Sequence, residues 1–255
     1  MIDRKQVLWG ITEDEDKLFL SRMCDLLQRS EDIYKILYTK FLNPRQQLLI
    51  KDRLHGDIRF FGGYEGAERL VAAFVPSEWE EPEFPIAAVK ISPTNKRVYS
   101  HRDYLGSLLG LGITRELIGD IVVDGSSATV ILMEDMADFV MMNLTGVASA
   151  KVRITEVKDM AYLASMRSFK ESDVTVSSLR FDCVLSAVAN KSRSETASLI
   201  ASGMASVNYD VSKNPSLKIN SGDIISLRGF GKALIETDGN LTKKGRIHIK
   251  IKKYV

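Results

Sequence analysis

The sequence has few residues of the kinds that build disulfide or metal frameworks: two cysteines and three histidines in 255 residues. Cys24 and Cys183 lie far apart in segments with helical apolar patterns, so no disulfide is indicated. The histidines at 55, 101 and 248 stand in separate segments without the spacing of zinc ligands. We therefore predict no metal site and no cofactor, and a reducing, cytoplasmic location.

Long apolar runs are also missing. No segment approaches the roughly 18 consecutive apolar residues of a membrane span, and the N-terminal stretch MIDRKQVLWGITEDED lacks the apolar core of a secretion signal. With 45% hydrophobic and 27% charged residues, the composition is that of an ordinary globular protein. A chain of 255 residues favours two or three domains. We expect a monomer without a membrane partner.

Charge is distributed unevenly along the chain. From Leu179 onward there are 13 Lys and Arg against 6 Asp and Glu, a net charge of +7, whereas the preceding 178 residues carry 22 against 27, a net charge of −5. Such asymmetry is typical of a polyanion-binding module attached to another unit. A solvated basic surface without a partner is the simpler alternative.

The first 72 residues predict a helical domain. Thr12 and Glu15 have the spacing of a capping box ahead of an amphipathic helix, and a second helix is predicted over 32–41. Asn43 and Pro44 predict the start of a third helix, which ends near Gly56.

Residues 73–168 predict a mixed α/β domain. Two apolar strands around Asp124-Gly125 indicate a hairpin, helices are predicted over 104–109 and 136–143, and KVRITEV predicts a strand. The polar stretch FKESDVTVS, residues 169–177, has the composition of a linker. A third domain is predicted over 177–255.

The joint between two short helices in this third domain carries a concentration of charge. Ser192 and Glu195 form a capping box, and Lys191 and Arg193 flank the helix start. Because a helix N-terminus already attracts anions, two cations there are unfavourable for the isolated helix. A bound phosphate would relieve the conflict; solvated surface charges are the alternative.

Further along, RGFGK places Arg228 and Lys232 around two glycines that permit a sharp turn or close approach to a ligand, or form a simple β-bulge. In the last strand, isoleucines at 247, 249 and 251 alternate with His248, Lys250 and Lys252. The pattern predicts one apolar and one basic face.

The order of residues in this region resembles the S4 RNA-binding domain. The resemblance rests on LRxDxxL from Leu179, SRSxxA from Ser192, Gly203, Val207-Asn208 and Gly222-Asp223. It implies two helices on a small, bent sheet whose basic residues contact structured RNA. The predicted contacts, with those of RGFGK and of the later KKGRI segment, are Arg180, Lys191, Ser192, Arg193, Ser194, Arg228, Lys232, Lys243 and Lys244.

Over nearly the full length, segments such as FFGGYEGAERLVAAFVP and SHRDYLGSLLGLGITRELIGDIVVDG look like the bacterial YlmH family. This resemblance implies an α+β protein with a helical N-terminal segment, a middle RNA-binding domain and a C-terminal S4 module. It also implies association with ribosomal RNA of the large subunit, with tRNA as a further partner, and rescue of stalled nascent chains. The family's cell-division naming reflects gene position.

The middle domain offers weaker candidates. GGYEGAER, residues 62–69, lacks the order of a nucleotide-binding loop and predicts a structural turn entering a helix. Arg102 and Arg115 are candidates for a second RNA or ribosome contact, while His101 and Asp103 favour helix capping over acid–base chemistry. Pseudouridine synthase, RNA methyltransferase and division adaptor are the alternative functions. We expect no enzyme, because the S4-like segment comes last in the chain, whereas S4-containing enzymes place it before a large catalytic domain. A methyltransferase would also need a glycine-rich nucleotide loop after a strand, and none is found.

Overall fold

In the computed structural model, the chain divides into two compact units, Met1–Met166 and Arg167–Val255. The structure describes residues 3–77, 81–95, 97–166, 169–242 and 245–254. Both units combine helices with antiparallel sheets, so the fold class is α+β. The division of the first unit near residue 72 stays a prediction.

The first unit begins with helices that pack on a three-stranded antiparallel sheet of order β1-β3-β2. Its core includes the helical face of Leu20, Met23, Cys24 and Leu27 together with Phe74. The elements are α1 Arg4–Leu8, α2 Asp14–Ile33, β1 Leu37–Tyr38, α3 Pro44–Arg53, β2 Asp57–Phe61 and β3 Val71–Val75.

Two predictions for this region are wrong. Helix α2 starts after Glu13 without a side-chain cap, so Thr12 forms no capping box. The three acidic residues of its first turn instead stabilise the helix start through their interaction with the helix dipole. The helix predicted over 32–41 does not form, because Tyr34 adopts φ 52° and ends α2, and β1 pairs with β3. The start of the third helix was predicted correctly, because Asn43 and Gln46 cap α3.

The rest of the first unit is a five-stranded antiparallel sheet of order β5-β6-β4-β8-β7, whose core contains Tyr99, Tyr104, Leu108 and Val140. Asp124 pairs with Ser127, which confirms the predicted hairpin. The elements are β4 Ile86–Pro93, α4 His101–Gly110, a 3-10 turn Arg115–Leu117, β5 Ile118–Asp124, β6 Ser127–Met133, α5 Glu134–Asn143, β7 Gly146–Val147, β8 Ala150–Val157 and a 3-10 turn Ala161–Met166.

The segment 62–69 is a turn, as predicted, but it leads into β3 and not into a helix. Asp120 accepts hydrogen bonds from the Tyr64 hydroxyl at 2.7 Å and from the backbone N–H groups of Glu68 and Arg69 at 2.8 and 3.0 Å. A Cβ at Gly62 would lie 2.4 Å from the carbonyl oxygen of Arg69, so the turn is closed on itself.

The second unit sets two helices against a six-stranded antiparallel sheet of order β11-β10-β12-β13-β14-β9. Phe181, Val184, Leu185 and Ile200 from the helices pack on Ile235, Ile249 and other apolar residues of the sheet. The elements are β9 Phe169–Val176, α6 Phe181–Ala189, α7 Arg193–Ala201, β10 Ala205–Val207, β11 Asp210–Val211, β12 Ile224–Leu227, β13 Gly231–Glu236 and β14 Ile247–Tyr254.

The linker predicted over 169–177 is wrong. This segment forms β9, which pairs with β14 along eight residues from Ile247↔Val176 to Tyr254↔Phe169. Its polar composition suggested a linker, but an edge strand exposes much of its surface and needs little apolar character.

Candidate nucleic-acid interface

The joint between α6 and α7 is closed by local hydrogen bonds. Asn190 takes φ 52° and ends α6, and the hydroxyl of Ser186 donates to the carbonyl oxygen of Lys191 at 2.5 Å. Ser192 then caps α7, its hydroxyl accepting from the N–H of Glu195 at 3.2 Å and lying 3.1 Å from the Ser194 hydroxyl. The predicted cap by Ser192 is confirmed, but the reciprocal half of the capping box does not form, because the Glu195 carboxylate pairs with Lys191.

A buried carboxylate organises this joint. Asp182, in the first turn of α6, has a side chain only 7% exposed. It accepts two hydrogen bonds from Arg180, each 3.1 Å, and one from Arg193 at 3.0 Å. The backbone N–H of Cys183 donates to it at 2.9 Å. The starts of both helices are thereby joined through one side chain.

Opposing effects set the pKa of Asp182. Burial by itself would raise it, but the hydrogen bonds and charges of Arg180 and Arg193 outweigh that and lower the pKa to about 2. The carboxylate is therefore ionised at neutral pH. Both guanidiniums stay fixed against it while remaining 44% and 55% exposed.

The cations at the joint have partners within the protein. Arg193 pairs with Asp182, and the ammonium of Lys191 pairs with Glu195 one turn along α7. The conflict inferred from sequence, two cations at a helix start awaiting a phosphate, is thus relieved without a ligand. The prediction that Arg193 contacts RNA rests instead on how its guanidinium is oriented. Only one of its five N–H donors is used in the hydrogen bond to Asp182.

Arg228 and Lys232 belong to a different part of the unit. They flank the hairpin turn between β12 and β13, and the N–H of Arg228 donates to Met204 just beyond the end of α7. Since α7 has nine residues, this end lies about 13 Å along the helix from Arg193. The structure does not bring these two residues to the joint.

The hairpin end gathers basic residues that sequence reasoning missed. The ammonium of Lys253 lies 3.6 Å from the centre of the Phe230 ring, over its face. A Cβ at Gly203 would lie 3.7 Å from Cε of Lys213, which places Lys213 beside the end of α7. The run of lysines in IKKYV was the available signal for Lys253; Lys213 gave none.

The face of β14 that was predicted to be basic is neutralised by β9 and β13. Lys252 lies 2.8 Å from Glu236 and 3.8 Å from Glu171, and Lys250 lies 3.7 Å from Glu171. His248 faces Asp173 at 3.9 Å. The prediction missed Glu171 and Asp173 because it assigned their strand, β9, to a linker.

The remaining predicted residues are dispersed. Lys243 and Lys244 lie outside the described residues. Arg102 is exposed in the first turn of α4 and borders a cavity of about 570 Å³. The N–H and hydroxyl of Ser100 both donate to Asp103 at 2.8 Å, which confirms capping at this helix start.

Arg115 lies half-buried and lacks the geometry of a simple surface contact. Its guanidinium donates to the carbonyl oxygens of Ile118 and Gly119 at 2.5 and 3.1 Å, and burial lowers its pKa. These bonds stabilise the turn before β5, and the residue also borders a groove of the first unit.

Metal-binding clusters and membrane spans are both absent from the part of the chain that the structure describes. No group of three or more His, Cys, Asp and Glu side chains in these ranges is placed to hold a metal ion. Among the same residues, no helix is both long enough and apolar enough to cross a membrane.

The fold and the site define an α+β protein that carries a preformed basic surface on its second unit. Residues 79–161 match a family model described as "Putative RNA-binding domain in YlmH". A Bacillus subtilis (strain 168) protein named ribosome-associated protein quality control protein P2 is 31% identical over 238 residues, covering 91% of this chain and 93% of that protein.

A solved structure gives the same result. The cell division protein ylmH from Streptococcus pneumoniae is 25% identical with a TM-score of 0.50, and the match covers 58% of this chain and 94% of that chain. The chain belongs to the YlmH family, as its sequence indicated.

Proposed function

We propose that this protein is an RNA-binding factor that associates with ribosomal RNA of the large subunit and serves ribosome-associated quality control. Its relative's name and the match to an RNA-binding domain support this role. We also propose that residues 177–255 act as an S4 domain, that tRNA on the subunit is a further contact, and that the protein has no catalytic activity of its own.

The observation that carries the proposal is the arginine pair fixed by Asp182. A guanidinium presents planar N–H donors that match phosphate oxygens, and prior fixation reduces the conformational entropy lost on binding. Arg180 and Arg193 share one buried carboxylate, so their orientation is set before RNA arrives. Ser192 and Ser194 add hydroxyl groups at the adjoining start of α7.

The first test measures co-sedimentation with large ribosomal subunits. Replacing Arg180 and Arg193 by Gln removes both charges but keeps amide donors for Asp182, so the unit should remain folded by circular dichroism. Because two charge-assisted hydrogen bonds to phosphate can no longer form, we expect affinity to fall on the order of 100-fold and the salt dependence to weaken.

The matched control is Lys170→Ala with Lys250→Ala, which removes the same charge from β9 and β14. This variant should bind within about twofold of wild type if contact at the joint, and not bulk charge, determines affinity. Equal binding by the folded arginine variant and the control would place the interface elsewhere.

The non-catalytic assignment has its own test. Purified protein is incubated with ribosomal RNA, with and without S-adenosylmethionine. The RNA is then digested, and its nucleosides are separated by chromatography and identified by mass spectrometry. Unchanged nucleosides are expected. A new methylated nucleoside, or a pseudouridine detected by its retention, would contradict the assignment.

A further inference from the structure

The first unit contains a groove of about 890 Å³ that has no assigned role. It lies between α2, the segment Tyr38–Gln46 and the turn 114–116. Most of its lining precedes residue 79, where the match to the RNA-binding domain begins. Five cationic residues line it: Arg22, Arg29, Lys40, Arg69 and Arg115.

One wall is a face of α2. Arg22 and Arg29 are both exposed and stand seven residues apart, which is two helical turns or about 10 Å along the axis. Nucleotides of a stacked strand rise by about 3.4 Å each, so this interval spans roughly three phosphates. Asp25, between the two arginines, is already paired with Arg4.

The opposite wall holds two half-buried guanidiniums. Arg69 donates to the carbonyl oxygens of Ile118 at 2.9 Å, Phe41 at 3.0 Å and Arg115 at 3.2 Å. Burial lowers the pKa of Arg69 to about 10, with the neighbouring charge of Arg115 acting in the same direction. The carboxylates of Asp120 and Glu68 act in the opposite direction on both guanidiniums and offset part of their charge. Contact with a ligand's phosphates therefore falls mainly on Arg22 and Arg29 of the other wall.

The charge of the groove opposes that of the unit around it. Residues 1–166 have 20 Lys and Arg against 25 Asp and Glu, a net charge of −5. The groove has five cations and two carboxylates, Asp25 and Glu116. Asp25 is in an ion pair with Arg4, and Glu116 is in an ion pair with Lys40. A concave cationic surface in an acidic unit concentrates the field on a polyanion.

Aromatic and apolar side chains lie among these cations. Phe19 and Leu26 come from α2, and Tyr38 comes from the opposite wall in β1. Interleaved cations and aromatic rings are the arrangement by which proteins bind single-stranded nucleic acid, with bases stacked and phosphates neutralised.

We propose that this groove binds a short stretch of single-stranded RNA, with phosphates along Arg22 and Arg29 and bases against Phe19 and Tyr38. The proposal takes its ligand class, RNA, from the proposed function and adds a second site on the other unit. Four of the five cations are arginines, whose donor geometry suits phosphate better than a point charge does.

The test uses the full-length protein and a fluorescently labelled uridine 12-mer, followed by anisotropy over a range of salt concentrations. For Arg22→Gln with Arg29→Gln, we expect about tenfold weaker binding and a salt slope smaller by about 1.4, since each single-strand phosphate contact contributes ~0.7. The control Lys5→Gln with Lys35→Gln removes the same charge outside the groove and should bind within about twofold of wild type. An unchanged affinity and slope in the groove variant would overturn the proposal.

Two further measurements separate this site from the second unit. Ultraviolet crosslinking of the 12-mer should label the peptides that carry Phe19 and Tyr38, and crosslinks confined to residues after 166 would refute the groove. Displacement of the RNA by polyglutamate at equal or lower concentration would also refute it, in favour of an acidic peptide. If the groove proposal is wrong but the proposed function is right, the groove variant binds the 12-mer normally while Arg180→Gln with Arg193→Gln no longer co-sediments with large subunits. If the proposed function is wrong, Arg180→Gln with Arg193→Gln still co-sediments with them.

Discussion

Replacing Asp182 by Asn tests the central role of this carboxylate most directly. A pKa of about 2 in the folded protein, against an ordinary value of 3.8, corresponds to ~2.4 kcal/mol of stabilisation at neutral pH. Arg180 and Arg193 are 44% and 55% exposed, so solvent screens the pairs. We therefore expect the substitution to cost about 1–2 kcal/mol of unfolding free energy at pH 7.

The pH dependence has a defined sign. Because the folded pKa is depressed, the contribution is complete above the unfolded value of 3.8 and disappears as the pH falls through about 2. The difference between wild type and Asp182→Asn should be constant from pH 7 to pH 5. At pH 3 it should have fallen to about half.

Urea unfolding followed by far-ultraviolet circular dichroism measures this difference. Both tryptophans, Trp9 and Trp79, precede residue 167 in the sequence, so the second unit contributes no tryptophan signal and tryptophan fluorescence should be unchanged by the substitution. Equal stability of the two proteins at pH 7, or a difference that stays the same at pH 3, would refute the role assigned to Asp182.

Two other substitutions test packing. Thr196 is fully buried with its hydroxyl 3.1 Å from the Asp182 carbonyl oxygen, so Thr196→Val should cost the second unit ~1 kcal/mol by urea unfolding, whereas the exposed Ser198→Ala should cost little. A Cβ at Gly119 would lie 2.8 Å from the ring of Phe41, so Gly119→Ala should cost the first unit ~1–3 kcal/mol in urea unfolding followed by far-ultraviolet circular dichroism. Gly106→Ala, in open space on α4, should instead be neutral or stabilising; equal effects of the two alanines would contradict the packing argument.

Most features governed by neighbouring residues were predictable from sequence, the capping box at Thr12 being the exception. The caps at Asn43 and Ser192 depend on side chains reaching backbone groups within one turn, and both form. The hairpin at 124–125 likewise needs a turn residue between two apolar strands. The mixed architecture and the family followed from such segments taken together.

Features that depend on residues far apart in the sequence could not be predicted. Whether residues 37–38 extend a helix or form a strand is decided by pairing with 73–74, and no local pattern contains that information. The segment 169–177 becomes a strand because β14, some eighty residues later, supplies its hydrogen bonds.

The site shows the same division. The cations at 191 and 193 were visible in the sequence, but their acceptors were not, since Asp182 reaches Arg193 across eleven residues and a change of helix. The groove of the first unit brings together α2, the start of α3 and residues 114–116, which are separated by up to about a hundred positions. Only the folded chain shows that its cations share one surface.

The pairing of β9 with β14 makes the two ends of the second unit immediate neighbours, with residue 169 opposite residue 254. The unit is therefore suited to circular permutation: a short glycine-rich linker can join these ends, and new termini can be opened in an exposed turn such as 238–240. Conversely, a fragment cut at residue 177 exposes the bare edge of an eight-residue strand, which is a template for intermolecular pairing. An autonomous second unit should begin at or before residue 169, and shorter versions should aggregate.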